Sequence, residues 1–115
     1  MGIIKDRFKE KADVIASDIK NILKEHGDKV IGEVTLSQIY AGMRGITGLV
    51  SETSLLDAQD GIRFRGYSIP ELRKKLPKAT GGTEPLPEGL FYLMLVGSLP
   101  SEEEAQHLSS TFLTQ

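Results

Sequence analysis

An amphipathic stripe near the start of the chain is the feature that most constrains its fold. Within residues 4–23 the apolar residues recur at steps of three and four, and most of the positions between them are charged. This period places the apolar side chains on one face of an α-helix. Gly27 follows, with Lys24 and His26 in the preceding turn, which is how helices commonly end. The sequence therefore predicts a long amphipathic first helix.

Three capping boxes predict where later helices begin. In this motif a Ser or Thr is followed three residues later by Glu or Gln, and the two side chains bond amides of the first turn. The pairs are Thr35 with Gln38, Ser68 with Glu71, and Ser101 with Glu104. The first predicts a short helix that Gly42 ends, and the second a helix that ends before Pro77. The third opens a helix whose apolar stripe is Ala105, Leu108 and Phe112.

The remaining segments predict one small sheet and one buried helix. Residues 88–96 are apolar almost all round, which for a helix indicates burial against several neighbours. Residues 49–56 and 62–65 flank a polar connection at 57–61 and predict a β-hairpin. A brief strand is also expected at 29–34, although Gly32 weakens it. The predicted fold class is mainly α, with four or five helices and one small β-hairpin.

Composition argues against several classes of function. Lys and Arg number 14 against 16 Asp and Glu, so no basic field is available for nucleic acid or for an anionic membrane. The lack of cysteine removes disulfides, thiolate nucleophiles and Cys-based zinc sites. The longest apolar run, residues 90–96, is far shorter than the ~20 residues that span a bilayer. Acidic residues within 1–14 argue against a targeting segment, so a soluble protein is expected.

The predicted loop at residues 42–48 contains Arg44 among three glycines. Exposed backbone amides and a guanidinium can together receive a phosphate or a carboxylate. The spacing is neither G-x-G-x-x-G nor a Walker motif. From the residues alone, a glycine-rich turn with a structural arginine is therefore the favoured interpretation, and anion binding is the alternative.

The other polar residues have simpler expected roles. Arg63 and Arg65 alternate outward on the second predicted strand, where they either interact with solvent or pair with an acidic element. His26 and His107 have no second ligand at metal-binding spacing, so neither a metal site nor a catalytic role is predicted for them. The acidic residues around the hairpin are expected to bond their own backbone rather than transfer protons. These are Glu52, Asp57 and Asp60.

Several longer strings resemble a known family. They are GMRG at 42–45, ETSLLD at 52–57, GIRFRGYSIPE at 61–71, LPKA at 76–79, GG at 81–82, EPLPEGLF at 84–91 and LPSEE at 99–103. They are similar to citrate synthases of the type found in mitochondria and some bacteria, and the likeness covers roughly residues 5–113. Long strings in a fixed order are far more specific than an isolated glycine motif.

The resemblance implies a fold, an activity and one site residue. Residues 1–115 would be the N-terminal segment of the large helical domain of a two-domain homodimer, with no second domain present. Such enzymes condense acetyl-CoA with oxaloacetate to citrate and CoA, without a metal or a prosthetic group. The family's catalytic aspartate and two histidines lie downstream, so this segment should contain no catalytic residue. Arg44 matches a family arginine that approaches the phosphates of coenzyme A, which makes cofactor binding as well supported as a structural role.

Three alternatives stay open at this point. A 2-methylcitrate synthase, which uses propionyl-CoA, would look the same over this segment. A non-catalytic helical module that pairs with a full-length synthase is a different class of function. The expected compartment is the cytoplasm of a bacterium, with the mitochondrial matrix as the alternative. Because the last helical pattern reaches Gln115 without a cap, we expect a piece of a longer enzyme.

Overall fold

The computed structural model describes residues 2–114, which contain five helices and a three-stranded antiparallel sheet. The helices are α1 (Gly2–His26), α2 (Leu36–Tyr40), α3 (Ile69–Lys75), α4 (Pro87–Val96) and α5 (Glu102–Leu113), and the strands are β1 (Ser54–Asp57), β2 (Gly61–Phe64) and β3 (Tyr67–Ser68). The mainly α fold class is confirmed. The chain divides into two compact units, one formed by residues up to 14 together with those from 51 onward, and the other by Ile15–Val50.

All three predicted capping boxes are formed. The side chains of Thr35, Ser68 and Ser101 each accept the backbone amide three residues later, and the residue there bonds back to the cap. The return bonds are 2.8–2.9 Å long. Each box satisfies donors that the first turn of a helix leaves unpaired. As predicted, α2 ends just before Gly42 and α3 before Pro77.

The hairpin is confirmed, with a shorter first arm and a third strand that the sequence did not predict. β1 begins at Ser54, so residues 49–53 of the predicted arm lie outside the sheet. The turn uses Gly61 at φ 78°, the left-handed region that glycine adopts without strain. β3 pairs with β2 through two residue pairs only. A two-residue strand is too short to show the alternation on which strand prediction depends.

The predicted strand at 29–34 is wrong. These residues form no regular element, and Val30 and Ile31 are 80% and 79% exposed. A strand needs a neighbouring edge for its backbone groups, and the sheet of residues 2–114 contains only β1, β2 and β3. The β-branched side chains alone do not supply that edge, and Gly32 weakens the local preference further.

The core consists of two apolar clusters that share α4. One contains Ile4, Tyr92, Val96 and Leu108, and the other contains Leu72, Leu76 and Leu93. Helix α4 therefore has neighbours on two sides, as its apolar composition predicts, and Leu93 is fully buried. On its remaining side Phe91 and Leu95 stay 45% and 39% exposed.

A glycine allows helix α4 to lie close to the end of α3. A Cβ atom on Gly89 would lie 3.3 Å from the Leu76 Cδ2 atom, which is tighter than most real Cβ contacts. The small residue therefore allows α4 to approach Leu76. Gly97 then ends α4 at φ 84°, with its amide bonded to the Leu93 carbonyl at 2.8 Å.

The unit Ile15–Val50 has no buried residue. The apolar stripe of α1 continues into it through Ile15, Ile19 and Ile22, all of which are exposed. Separately, no helix within residues 2–114 has the length and apolar character needed to cross a membrane.

Candidate functional site

The loop that carries Arg44 is built from left-handed backbone. Gly42, Met43 and Gly45 have φ values of 73°, 62° and 74°, and Met43 is one of two non-glycine residues with positive φ in the part of the chain that the structure describes. The Met43 amide donates to the Gln38 carbonyl at 2.9 Å, which ties the loop to α2. Helix α2 is in turn fixed by its capping box at Thr35. The short capped helix and the turn together set the position of the Arg44 backbone.

The Arg44 side chain is exposed, and no hydrogen bond or ion pair to residues 2–114 engages it. Its guanidinium is therefore available to a planar or tetrahedral anion. A cleft of about 170 Å³ lies beside the loop, lined by Gly45, Ile46 and Thr47 but also by Glu33. Because the Glu33 carboxylate disfavours an anion there, the arginine side chain rather than the cleft is the candidate contact.

The two hairpin arginines differ from each other and from the prediction. The expectation that Arg65 alternates outward on the strand is wrong, because Arg65 follows β2 at φ 48° and its side chain is partly buried. Its Nη2 donates to the Met94 carbonyl of α4 at 2.7 Å, and its Nε is buried without a hydrogen-bond partner among the described residues. Arg65 therefore joins the sheet to α4.

Arg63 is the arginine that meets acidic groups. Its guanidinium lies 3.9 Å from the carboxylates of Asp60 and Glu71 and donates to the Gly66 carbonyl at 3.3 Å. Pairing with an acidic element, one of the two interpretations considered, therefore describes Arg63. The pairs are long and partly exposed, so they contribute little to stability.

The two histidines and the acidic residues of the hairpin turn differ from Arg44 in what they can bind. His26 and His107 are both exposed, and within residues 2–114 no group of three or more His, Cys, Asp or Glu could hold a metal. Asp57 accepts the amides of Gln59 and Asp60 at 2.8 and 2.9 Å. These two backbone bonds hold the pKa of Asp57 below its ordinary value. The prediction that this aspartate serves its own turn is confirmed.

A polar cluster that sequence reasoning missed lies between α1, α4 and α5. The Glu104 carboxylate accepts the Tyr92 hydroxyl at 2.9 Å and Arg7 Nε at 3.3 Å through one oxygen. Its other oxygen accepts the Ser101 amide at 2.9 Å. A cavity of about 390 Å³ opens beside this cluster.

The cluster shifts the ionisation of its members in opposite directions. The Ser101 amide, with the Tyr92 and Arg7 donors, lowers the pKa of Glu104 against the opposing effect of burial. Burial, then the bond to Glu104, raises the pKa of Tyr92 to about 12. At neutral pH the carboxylate is therefore charged and the phenol keeps its proton, which is the state that holds the bonds.

Only one signal in the sequence pointed toward this cluster. A tyrosine inside an otherwise apolar helix needs a partner for its hydroxyl when it is buried. Nothing local identifies that partner, because Arg7 and Glu104 are 97 positions apart. The capping box explained Glu104 fully at the sequence level, so its second role was not visible.

The comparisons with known proteins bear on the whole chain. The family model described as "Citrate synthase, C-terminal domain" matches residues 42–115, a stretch that begins at the glycine-rich loop of Arg44. The chain belongs to the citrate synthase family. The resemblance inferred from the strings at 42–103 is thereby confirmed.

Individual relatives extend the match toward the start of the chain. Mitochondrial citrate synthase of Saccharomyces cerevisiae is 55% identical over 107 residues, which is 93% of this chain and 22% of that protein. The mitochondrial citrate synthase of Aspergillus niger is 54% identical over the same shares. Mitochondrial 2-methylcitrate synthase of Yarrowia lipolytica is 52% identical over 97% of this chain and 24% of that protein. The chain thus spans about a quarter or less of the length of these relatives.

Proposed function

We propose that the chain is a segment of a citrate synthase that condenses acetyl-CoA with oxaloacetate to citrate and CoA. The observation that carries this proposal is the 55% identity to the Saccharomyces cerevisiae enzyme over 93% of the chain. The family match over residues 42–115 supports it independently of α1. The segment is assigned to the N-terminal part of the large helical domain, and this placement stays a prediction.

The segment by itself contains no catalytic residue in this proposal. Both histidines are exposed, and the acidic contact found among residues 2–114, from His26 to the Glu25 carboxylate at 3.9 Å, is too long for a hydrogen bond that would orient the ring for proton transfer. The chain also spans only about a fifth of the Saccharomyces cerevisiae relative. The catalytic groups belong to the part of the family enzyme that this chain does not include.

An activity assay tests this assignment. The purified chain, given acetyl-CoA and oxaloacetate, should release no CoA thiol. The matched variants His26→Ala and His107→Ala should behave as the unchanged chain does. Turnover that either substitution abolishes would place catalysis within this segment and contradict the proposal.

Arg44 is the proposed contact to the phosphates of coenzyme A. Its guanidinium is exposed and unengaged by residues 2–114, and the left-handed residues Gly42, Met43 and Gly45 fix the turn on both sides of it. A guanidinium presents a rigid fork of donors that fits phosphate oxygens. An arginine whose backbone is fixed by a turn, and whose side chain has no partner among residues 2–114, is suited to a ligand rather than to a structural ion pair.

A graft into a longer relative makes the Arg44 proposal measurable. The matching 107 residues of the Saccharomyces cerevisiae enzyme are replaced by those of this chain, and the chimera should be active. Arg44→Ala should then raise the KM for acetyl-CoA by about ten-fold or more, because a charged hydrogen bond is lost. The KM for oxaloacetate should stay unchanged, and Arg44→Lys should recover part of the loss since lysine keeps the charge.

Lys29→Ala is the matched control for the graft, because it removes one exposed positive charge from the same unit. It should leave both KM values unchanged. An unchanged KM for acetyl-CoA in Arg44→Ala would return this arginine to the structural interpretation. An equal rise in the KM for acetyl-CoA in Lys29→Ala would mean that the effect comes from overall charge rather than from a contact made by Arg44.

A second candidate changes the acyl donor. The 2-methylcitrate synthase of Yarrowia lipolytica is 52% identical over 97% of the chain, close to the values for the citrate synthases. The difference between 55% and 52% identity is too small to favour one donor over the other. Measuring the ratio of activities with acetyl-CoA and propionyl-CoA in the protein from the chain's own source separates these candidates.

The partners and compartment follow from the same proposal. We propose a homodimer as the working form, with no prosthetic group, nucleic acid or membrane involved. The exposed apolar residues of α1 and α4 equally fit a non-catalytic module that pairs with a full-length synthase. The mitochondrial names of the relatives favour the mitochondrial matrix, and the comparisons give no support to the bacterial cytoplasm.

A further inference from the structure

The first half of helix α1, residues 2–14, has few attachments to the helices of residues 51–114. Ile4 is its one buried residue, and it packs with Tyr92, Val96 and Leu108. One turn later, Arg7 reaches Glu104. Beyond Arg7 a cavity of about 390 Å³ separates Lys11 and Val14 from α4 and the segment after it. The helix is therefore held through Ile4 and Arg7, and the cavity lies between it and α4 at Lys11 and Val14.

Glu104 is the group on which the polar attachment depends. Its side chain is 18% exposed and accepts three hydrogen bonds, from Ser101, Tyr92 and Arg7. Two of these bonds come from the α4–α5 pair itself and hold the carboxylate in place whether or not α1 is present. The third comes from α1. The Glu104 carboxylate is thus already in position on α4–α5, and the bond from Arg7 is the one that can form or break.

Arg7 can also leave at low cost. Its Nη1 keeps a second acidic partner on its own helix, Glu10, at 3.4 Å. The Arg7 side chain is 55% exposed, so water replaces Glu104 readily. Among residues 2–114, the bond to Glu104 is the ion pair that links α1 to another element.

We propose that the first half of α1 is a detachable strap, latched onto α4 and α5 by the Arg7–Glu104 bond. Closed, the strap covers the cluster of Tyr92, Val96 and Leu108 with Ile4. Open, it uncovers these three apolar side chains while α4 and α5 stay packed through the edge-to-face rings of Phe91 and Phe112, whose centroids lie 5.5 Å apart. The latch is independent of the proposed enzymatic role, since none of its residues belongs to that site.

Thiol labelling measures the opening directly, because the chain has no native cysteine. Val96→Cys places a single thiol under the strap, and Ala105→Cys places one in the fully buried part of α5. In the first background, Arg7→Gln should raise the labelling rate about two-fold to five-fold, as expected for losing a partly exposed ion pair. Glu104→Gln should act in the same direction, because it keeps a side chain that can serve the capping box but removes the charge that Arg7 meets.

Two comparisons decide the result. Lys9→Gln removes the same charge from an exposed position of α1 and should leave labelling in the Val96→Cys background unchanged. Arg7→Gln should leave labelling in the Ala105→Cys background unchanged, since α4 and α5 stay together. An equal rise in both backgrounds would mean that the whole unit opens and would overturn the strap. So would labelling of the Val96→Cys chain at the rate of a free thiol, or equal effects of Arg7→Gln and Lys9→Gln.

Discussion

The segment 51–114 and the unit Ile15–Val50 contain the same local helix signals but differ in how many apolar side chains they bury. Both contain a helix that opens with a complete capping box, at Ser101 in one and at Thr35 in the other. Apart from Ile4, every buried apolar side chain of the described structure lies in 51–114, and none lies in Ile15–Val50. Local capping therefore defines where a helix starts, and burial decides whether it is stable.

The contrast is physical rather than compositional. The unit Ile15–Val50 contains many apolar side chains, including Ile19, Leu36 and Leu49, but all of them except the partly buried Ile46 are exposed. Ordering these residues costs backbone entropy that its own contacts do not offset. A segment of this kind is expected to gain its stability from surfaces supplied by the remainder of a larger protein.

Removing a buried side chain should produce the largest difference between the two regions. Leu93→Ala deletes a fully buried residue and should lower the free energy of unfolding by about 2–5 kcal/mol. Leu36→Ala makes the same chemical change at an exposed site and should cost less than about 0.5 kcal/mol. Urea unfolding of the two variants and the unchanged chain measures both. Similar losses at both positions would show that Leu36 is buried in solution.

Removing a helix cap should give a smaller contrast in the same direction. Ser101→Ala should cost about 1 kcal/mol, because the first turn of α5 loses its side-chain acceptor within the cooperative core. Thr35→Ala removes the equivalent bond from α2 and should leave the main unfolding transition unchanged. A matching shift in the urea midpoint for Thr35→Ala would mean that α2 unfolds together with α5, and the contrast would fail.

Acidification should give the smallest effect, confined to the core region. The pKa of Glu104 is lowered in the folded chain from its ordinary 4.5, so its contribution to stability is complete above that value. It is lost as pH falls below 4.5 and through the lower folded pKa. Glu104→Gln should flatten this part of the pH dependence, while the lowered pKa of Glu71 and Asp57 keeps some of it. Equal acid sensitivity in the unchanged chain and in Glu104→Gln would mean that Glu104 does not contribute to this pH dependence.

The sequence predicts what is local and misses what joins distant residues. The first helix, the capped helices and the hairpin turn are each predicted by residues only a few positions apart. These are the apolar stripe at 4–23, the capping boxes and Gly61, and the corresponding helices and turn are present. The strand expected at 29–34 failed because its pairing edge is not a local property. Arg65 was misplaced because its left-handed backbone and its bond to Met94 depend on the return of the chain 29 positions later.

The candidate site shows the same limit. Arg44 was found from its glycines and from the family strings, and its exposure fits the proposed role. The contact of Arg7 with Glu104 was not found, since no spacing relates residues 97 positions apart. A position in the fold, rather than a motif, defines that cluster.

Amide hydrogen exchange tests the central contrast most directly. In the purified chain, the amides of α4 and α5 should exchange only through global unfolding, because they surround the buried Leu93 and Leu108. Amides of α2 should exchange close to the rate of an unstructured peptide, since that helix has no buried residue. Protection of α2 equal to that of α4 and α5 would contradict the account, because the unit Ile15–Val50 would then be stable without a core of its own.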